Sequence, residues 1–312
     1  MAINKVVVAG GGVLGSQIAF QAAYCGFDVT IWLRSESSVG RTKPKLEKVK
    51  QAYIAAIDKM AAGDETAFCR GITDKNTFDK EECLKKVENA EKNLKIELDL
   101  KKAVEDADLV IESMAEDPKA KTEFYKMLAP LMPPKTILVT NSSTLLPSRL
   151  AKYTGRPEKY LSLHFANEIW KNNTAEVMGH KGTDPQYFAA VVDFADRIRM
   201  IPLELHKEKN GYILNSMLVP FLLAGLDLYA TGVSDPETID KTWVLGTGAP
   251  SGPFRILDVV GLTTAYNIVA MYLKIPSFLA PYHFKDIAKM LKRYIDEGKL
   301  GMSSGEGFYK YN

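Results

Sequence analysis

Three glycines, Gly10, Gly12 and Gly15, stand between an apolar run and an amphipathic repeat, and few backbones other than a strand–turn–helix accommodate them. Lys5–Ala9 is the apolar run, and it stops at Gly10, Gly11 and Gly12. Val13 opens the segment that follows, with Leu14, Ile18 and Ala22 on one helical face. Gly26 ends that helix, and Asp28–Leu33, rich in β-branched and aromatic residues, reads as a second strand. The result is a βαβ unit of about 30 residues, the smallest parallel-sheet module. In such a unit Gly10 permits the tight turn, Gly12 lets backbone approach a pyrophosphate, and Gly15 allows helix and strand to pack closely. The helix start, at Val13 and Leu14, offers free N–H groups to the anion. A dinucleotide is therefore the expected ligand of Gly10, Gly12, Val13, Leu14 and Gly15.

An acid is expected at the end of the second strand, roughly 20 residues after the glycines, to bind ribose hydroxyls. This chain has Leu33 there, followed by Arg34 and Ser35. Leucine accepts no hydrogen bond, whereas a guanidinium suits a 2′-phosphate. NADP is thus expected over NAD, with Leu33 and Arg34 at the cofactor's ribose. The alternative leaves Arg34 as a solvated charge and NAD in use.

The alternation resumes after an interruption. Residues 36–104 are strongly charged with a helical period (Leu46, Val49, Tyr53, Ile57, Met60) and predict a helical hairpin projecting from the sheet, either a solvated arm or a substrate-binding one. Strands follow at 108–112, 136–140, 160–165, 174–178 and 200–205, with helices at 118–131, around 148–153 and at 185–198. From about Asn210 the strand pattern gives way to helices, the first predicted over 211–229, then Thr263–Leu273 and His283–Glu297. Ser234-Asp-Pro-Glu237 reads as a capping box. The fold class is α/β, a Rossmann-type doubly wound sheet (residues 1–205) with a helical-hairpin insertion, followed by an all-α C-terminal domain (206–312). Helices apolar on more than one face suggest a homodimer through that second domain.

Composition narrows the partners. Lys plus Arg is 40 against 38 Asp plus Glu, a net charge of +2, which gives no reason to expect nucleic acid or a membrane surface. No apolar run reaches the roughly 18 residues of a bilayer span. Cys25, Cys69 and Cys83 form an odd, scattered set without metal or disulfide spacing, and the start of the chain has no signal pattern, so a cytoplasmic protein is expected.

Four segments together carry a resemblance: Gly10–Gly15, the Asn141-Ser-Ser-Thr144 loop, Leu163-His-Phe165 with Glu176-Val after it, and Asn215 in a long helix. With Gly252-Pro-Phe254, Asp258-Val-Val-Gly261 and Gly305-Glu-Gly-Phe-Tyr309, the sequence resembles the L-3-hydroxyacyl-CoA dehydrogenase family over almost its whole length. The resemblance implies hydride transfer between NAD or NADP and C3 of a short 3-hydroxyacyl-CoA, with His164 and Glu176 as the catalytic dyad and Ser143 and Asn215 positioning the substrate oxygen. It also places Glu116, Lys121, Asn141 and Asn167 on the cofactor side, and requires no metal. The residues make independent sense of this. An imidazole titrates near neutrality and can act as acid or base, and a carboxylate on the next strand can fix its tautomer.

The sequence departs from the family pattern in three places. Leu33 replaces the acid. Ser303 stands where a lysine is usual, and Asn167 is followed by Glu168 instead of proline. Lys43, Lys45, Lys48 and Lys50 are candidates for coenzyme A phosphates or a solvated face. Two other readings remain: a dehydrogenase of a free 3-hydroxy acid of the sugar-acid type, and a non-catalytic dinucleotide-binding protein.

Overall fold

The computed structural model describes residues 3–311, which divide into two units, Met1–Ile213 and Leu214–Asn312. In the first unit β1 (Lys5–Ala9) leads through α1 (Val13–Tyr24) to β2 (Asp28–Trp32), paired in parallel from Lys5↔Asp28 to Ala9↔Trp32. Then come α2 (Glu36–Ala61), α3 (Lys80–Asn93), β3 (Lys95–Glu97), α4 (Leu100–Val104), β4 (Leu109–Glu112), α5 (Pro118–Leu128) and β5 (Ile137–Thr140). The unit closes with α6 (Pro147–Leu150), β6 (Tyr160–Phe165), β7 (Thr174–Met178), α7 (Pro185–Arg197) and β8 (Ile201–Leu205). The strand order is β3-β2-β1-β4-β5-β6-β7-β8. The order reverses between β1 and β4, whose carboxyl ends open the crevice where ligands bind in such sheets.

Strands β1, β4, β5 and β6 are buried almost throughout, as continuous apolar runs in a sheet covered on both faces should be. β7 runs antiparallel to β6, and this sets His164 directly opposite Glu176. Such a hairpin places the two side chains on one face, within reach of each other.

The segment expected to project from the sheet does not project. Val49, Tyr53 and Ile57 of α2 and Cys83, Val87 and Ala90 of α3 share one hydrophobic core with Ile18 and Phe20 of α1. Tyr53 lies 5.0 Å from the Phe20 ring and 5.3 Å from Trp170, and its hydroxyl donates to Gln21. Gly71 lies so close to Trp170 that a Cβ there would stand 2.7 Å from the Trp170 Cα. The hairpin therefore braces the 166–173 loop that follows His164. The end of the expected hairpin instead supplies β3, a half-exposed edge strand of three residues too short to show a period.

The second unit comprises α8 (Leu214–Ala230), α9 (Pro236–Thr247), α10 (Pro253–Val260), α11 (Leu262–Ala270) and α12 (Phe284–Asp296), around a core that includes Leu226, Phe254, Leu257, Leu262 and Leu291. Helix α8 starts three residues later than its apolar pattern predicts, because Gly211 and Tyr212 both take positive φ, 76° and 53°. Asp235, and not Ser234, caps α9 by accepting from the Thr238 amide. Buried Asp240 caps α10 through the Phe254 and Arg255 amides, and buried Asp258 accepts from the Phe308 and Tyr309 amides. A Cβ on Gly252 would strike Asp240, and one on Gly307 would strike Asp258. The glycines of both closing motifs thus serve packing. Among the described residues no helix is long and apolar enough to cross a membrane, and no cluster of three metal-ligating side chains occurs.

Candidate active site

The glycine turn has the geometry an incoming phosphate requires. Gly10 has φ 120°, and a Cβ on it would meet the Ser113 carbonyl oxygen at 2.5 Å. A Cβ on Gly15 would lie 2.2 Å from the Gly10 carbonyl oxygen, whereas one on Gly12 would meet nothing within 4 Å. The open side of Gly12 is where a ligand can approach. Gly12 precedes α1 without any side-chain cap, and Val13 beside it is 60% exposed. Uncapped first-turn N–H groups on an exposed helix start form an anion site, so these residues fit a dinucleotide pyrophosphate.

The two positions separate in a test. Gly15→Ala is expected to destabilise the fold by about 1–3 kcal/mol through overpacking against backbone. Gly12→Ala, at an ordinary φ of −68°, should keep the melting temperature but weaken dinucleotide binding by about tenfold or more, roughly 1.4 kcal/mol. Titration by cofactor fluorescence beside a thermal melt checks both; equal binding by the Gly12 variant and wild type would remove the pyrophosphate from this turn.

At the end of β2, Leu33 is buried in the hydrophobic core and Arg34 is exposed. The nearby acid, Glu97 of β3, accepts from the amides of Leu98 and Asp99 at 2.8 Å each, so its carboxylate is engaged with its own strand end. Ser35, Ser38 and Arg41 line the start of α2, with Arg41 donating to the Ser38 hydroxyl.

The dyad sits on the β6–β7 pair. His164 Nδ1 lies 3.0 Å from Glu176 Oε2, and the side chains are 7% and 4% exposed. The other carboxylate oxygen, Oε1, accepts the Ile213 amide at 2.8 Å. A carboxylate on Nδ1 selects the tautomer with the proton there and leaves Nε2 with its lone pair. The Tyr212 ring stacks on the imidazole, with centroids 4.5 Å apart and planes 15° apart.

The 141–144 loop is fastened from two directions. Glu116 Oε1 accepts the Ser142 hydroxyl (2.5 Å), the Thr144 hydroxyl (2.8 Å) and the Thr144 amide (2.8 Å), so Ser143 is held between two anchored neighbours. Burial opposes ionisation of Glu116, but these donors and nearby Lys121 outweigh it and hold its carboxyl below the usual glutamate range. From the other side, Asn141 Oδ1 accepts the Phe165 amide at 3.1 Å, joining the loop to the residue after His164. Asn167 is exposed on the 166–173 loop.

Lys121 is buried on α5, with Nζ 2.6 and 2.8 Å from the two oxygens of buried Glu112 and 3.6 Å from Glu116. Its ammonium is thus committed to carboxylates of the fold. Glu112 also accepts from the Met114 amide, Tyr125 and Thr140. Asn215 lies in the first turn of α8 and Ser303 in a short 3-10 turn, both in the second unit. Of the four hairpin lysines, Lys50 pairs with Glu47 and Glu91, and Lys45 donates to the Arg41 carbonyl.

Sequence reasoning missed Glu112 and Tyr212. An acid closing the apolar run Leu109–Glu112 was a visible signal; the turn at Tyr212 was masked by the apolar helix that follows.

Comparison with known proteins shows what the chain as a whole is similar to. The model of the 3-hydroxyacyl-CoA dehydrogenase NAD-binding domain matches residues 5–209, and that of the 3-hydroxyacyl-CoA dehydrogenase C-terminal domain matches 211–311. The chain is 31% identical over 311 residues to human mitochondrial hydroxyacyl-coenzyme A dehydrogenase, covering 99% of this chain and 91% of that one. It is 29% identical to 3-hydroxybutyryl-CoA dehydrogenase of Clostridioides difficile, covering 99% of each. Among solved structures, a diketoreductase described for substrate-directed dual catalysis of dicarbonyl compounds is 47% identical, with a TM-score of 0.84 and full coverage of both chains.

Proposed function

The chain belongs to the 3-hydroxyacyl-CoA dehydrogenase family, and from that premise we propose that its nicotinamide-dinucleotide-linked oxidoreduction at a 3-hydroxy position runs through the His164–Glu176 dyad. The observation that carries the proposal is the 3.0 Å contact of His164 Nδ1 with Glu176 Oε2 across paired strands. When bound, the nicotinamide dinucleotide supplies the two-electron acceptor or donor. The chain's own residues handle the proton. In the oxidation, His164 Nε2 takes the proton of the substrate's C3 hydroxyl, and Glu176 stabilises the imidazolium that forms. In the reverse direction the imidazolium returns that proton to the oxygen of the 3-oxo group. Ser143, steadied by the Glu116 clamp on its neighbours, donates a hydrogen bond to the same oxygen. The family resemblance assigns Asn215 a like role and sets Asn141 and Asn167 on the cofactor side.

The substrate we propose is a short 3-hydroxyacyl or 3-oxoacyl-CoA thioester. A second reading, a free dicarbonyl compound or 3-hydroxy acid, is favoured by the 47% identity to the diketoreductase and by the 166–173 loop, which lacks the family's proline beside the dyad. For the cofactor we propose NADP, because buried Leu33 offers no acceptor, exposed Arg34 is free of the core, and Glu97 is tied to backbone. A homodimer through the C-terminal unit rests on its exposed Trp243, Leu245, Val259 and Met271.

One reduction assay crosses NADPH and NADH with acetoacetyl-CoA and a free dicarbonyl ester. Expected is turnover of acetoacetyl-CoA, with NADPH favoured in kcat/KM. A tenfold preference for NADH would end the NADP reading. Turnover of the dicarbonyl alone would establish the second substrate reading, and turnover of neither would sink both.

A further inference from the structure

We infer that Tyr212 is a positioning residue for the dyad, holding the imidazole, the Glu176 carboxylate and the Ser142–Ser143 loop in one arrangement. The inference rests on the dyad reading above. Three contacts leave this one point of the chain. The Tyr212 ring lies flat on the His164 imidazole, 4.5 Å between centroids. Its hydroxyl donates to the Ser142 carbonyl at 2.7 Å. The next amide, of Ile213, donates to Glu176 Oε1 at 2.8 Å.

Each contact restricts a different motion. The stack confines the imidazole to one plane, and the amide prevents Glu176 from turning away from Nδ1. The hydroxyl ties down the Ser142 carbonyl beside Ser143, adding to the Glu116 clamp on the same loop. A tyrosine that merely filled the core would not need its backbone conformation. Tyr212 has φ 53°, a region L side chains with bulk rarely adopt, directly after Gly211 at φ 76°. That pair of left-handed residues delays the start of α8 and turns the ring onto His164. Strain of this kind persists where the surroundings over-determine it, and here the surroundings are the catalytic groups.

The experiment uses the whole protein in three variants. Tyr212→Phe keeps the stack and loses the hydroxyl; Tyr212→Leu loses both at the same backbone strain; His164→Gln reports on the dyad itself and assigns its resonances. Turnover is measured beside histidine-labelled NMR of the imidazole. Tyr212→Leu is expected to lose about 10- to 100-fold in kcat, the usual effect of a misplaced catalytic group, with dinucleotide affinity unchanged. The ring-current displacement of the His164 protons should vanish with it. Tyr212→Phe should recover kcat to within about fivefold of wild type and keep the displaced resonances, the remaining loss being that of one hydrogen bond. A Tyr212→Leu protein with kcat within twofold of wild type overturns the inference. So does a loss fully explained by a smaller folded fraction with the His164 resonances unmoved. If His164→Gln is inactive in either case, the dyad survives and only the role of Tyr212 falls. If His164→Gln is fully active, the dyad reading itself fails.

Discussion

His164→Gln is expected to reduce kcat by about 10³-fold, within the range of 10²–10⁴ that a positioned acid–base group contributes. At 1.36 kcal/mol per tenfold this is about 4 kcal/mol of transition-state stabilisation. Glutamine is the informative substitution because its amide can still donate to Glu176, so a carboxylate only 4% exposed keeps a donor from position 164. Alanine would remove the His164 donor from that buried carboxylate, and a fall in activity would then be confounded with a fall in stability. The glutamine variant should therefore melt within a few degrees of wild type and bind the dinucleotide equally well, since the pyrophosphate turn lies on β1 and α1. Glu176→Gln is the companion. It should lose activity through the wrong tautomer, because an amide can donate to Nδ1 and leave the proton on Nε2. Wild-type turnover by His164→Gln would remove the imidazole from the chemistry.

The parts of this site that were legible from sequence are those where one residue's chemistry is expressed by its immediate neighbours. Gly10, Gly12 and Gly15 announce a turn because the flanking runs differ in period, and the structure gives each the clearance its role needs. His164 was readable near the end of one strand and Glu176 on the strand that follows, although their direct pairing depends on β7 running antiparallel, which no local pattern encodes. What remained hidden is set by partners far along the chain. The 36–104 segment looked like a projecting hairpin because its charged face dominates the composition; its buried stripe packs on α1, and that is a tertiary fact. The same is true of Tyr212, whose neighbours in space, His164 and Ser142, are far away in sequence. A helical period extending from 211 concealed the turn, since periodicity reports side-chain spacing and not the sign of φ.

Lys121 distinguishes a residue that touches the cofactor from one that builds the floor beneath it. The family resemblance places it on the cofactor side, while the structure commits its ammonium to Glu112 at 2.6 and 2.8 Å, with both groups buried. Glu112 closes β4 in register with Ala9, one residue before the glycine turn, so the pair lies under the crevice. Lys121→Met preserves length and apolar stem but leaves the Glu112 carboxylate without its counter-charge. Breaking one side of a buried ion pair is expected to destabilise by about 3–5 kcal/mol. For a unit of this size that lowers the melting temperature by about 10 °C. The remaining donors from Met114, Tyr125 and Thr140 soften the loss without removing it, since none carries charge. Adding Glu112→Gln to the Lys121→Met protein should recover at least half of the lost stability, because the stranded charge is then gone. A lysine whose main task was to grip the dinucleotide would behave in the opposite way: Lys121→Met would melt within about 2 °C of wild type, weaken cofactor binding, and gain nothing from the second substitution. Thermal melts of the single and double variants beside cofactor titrations therefore separate the two roles, and the buried contact with Glu112 is the reason to expect the loss in stability.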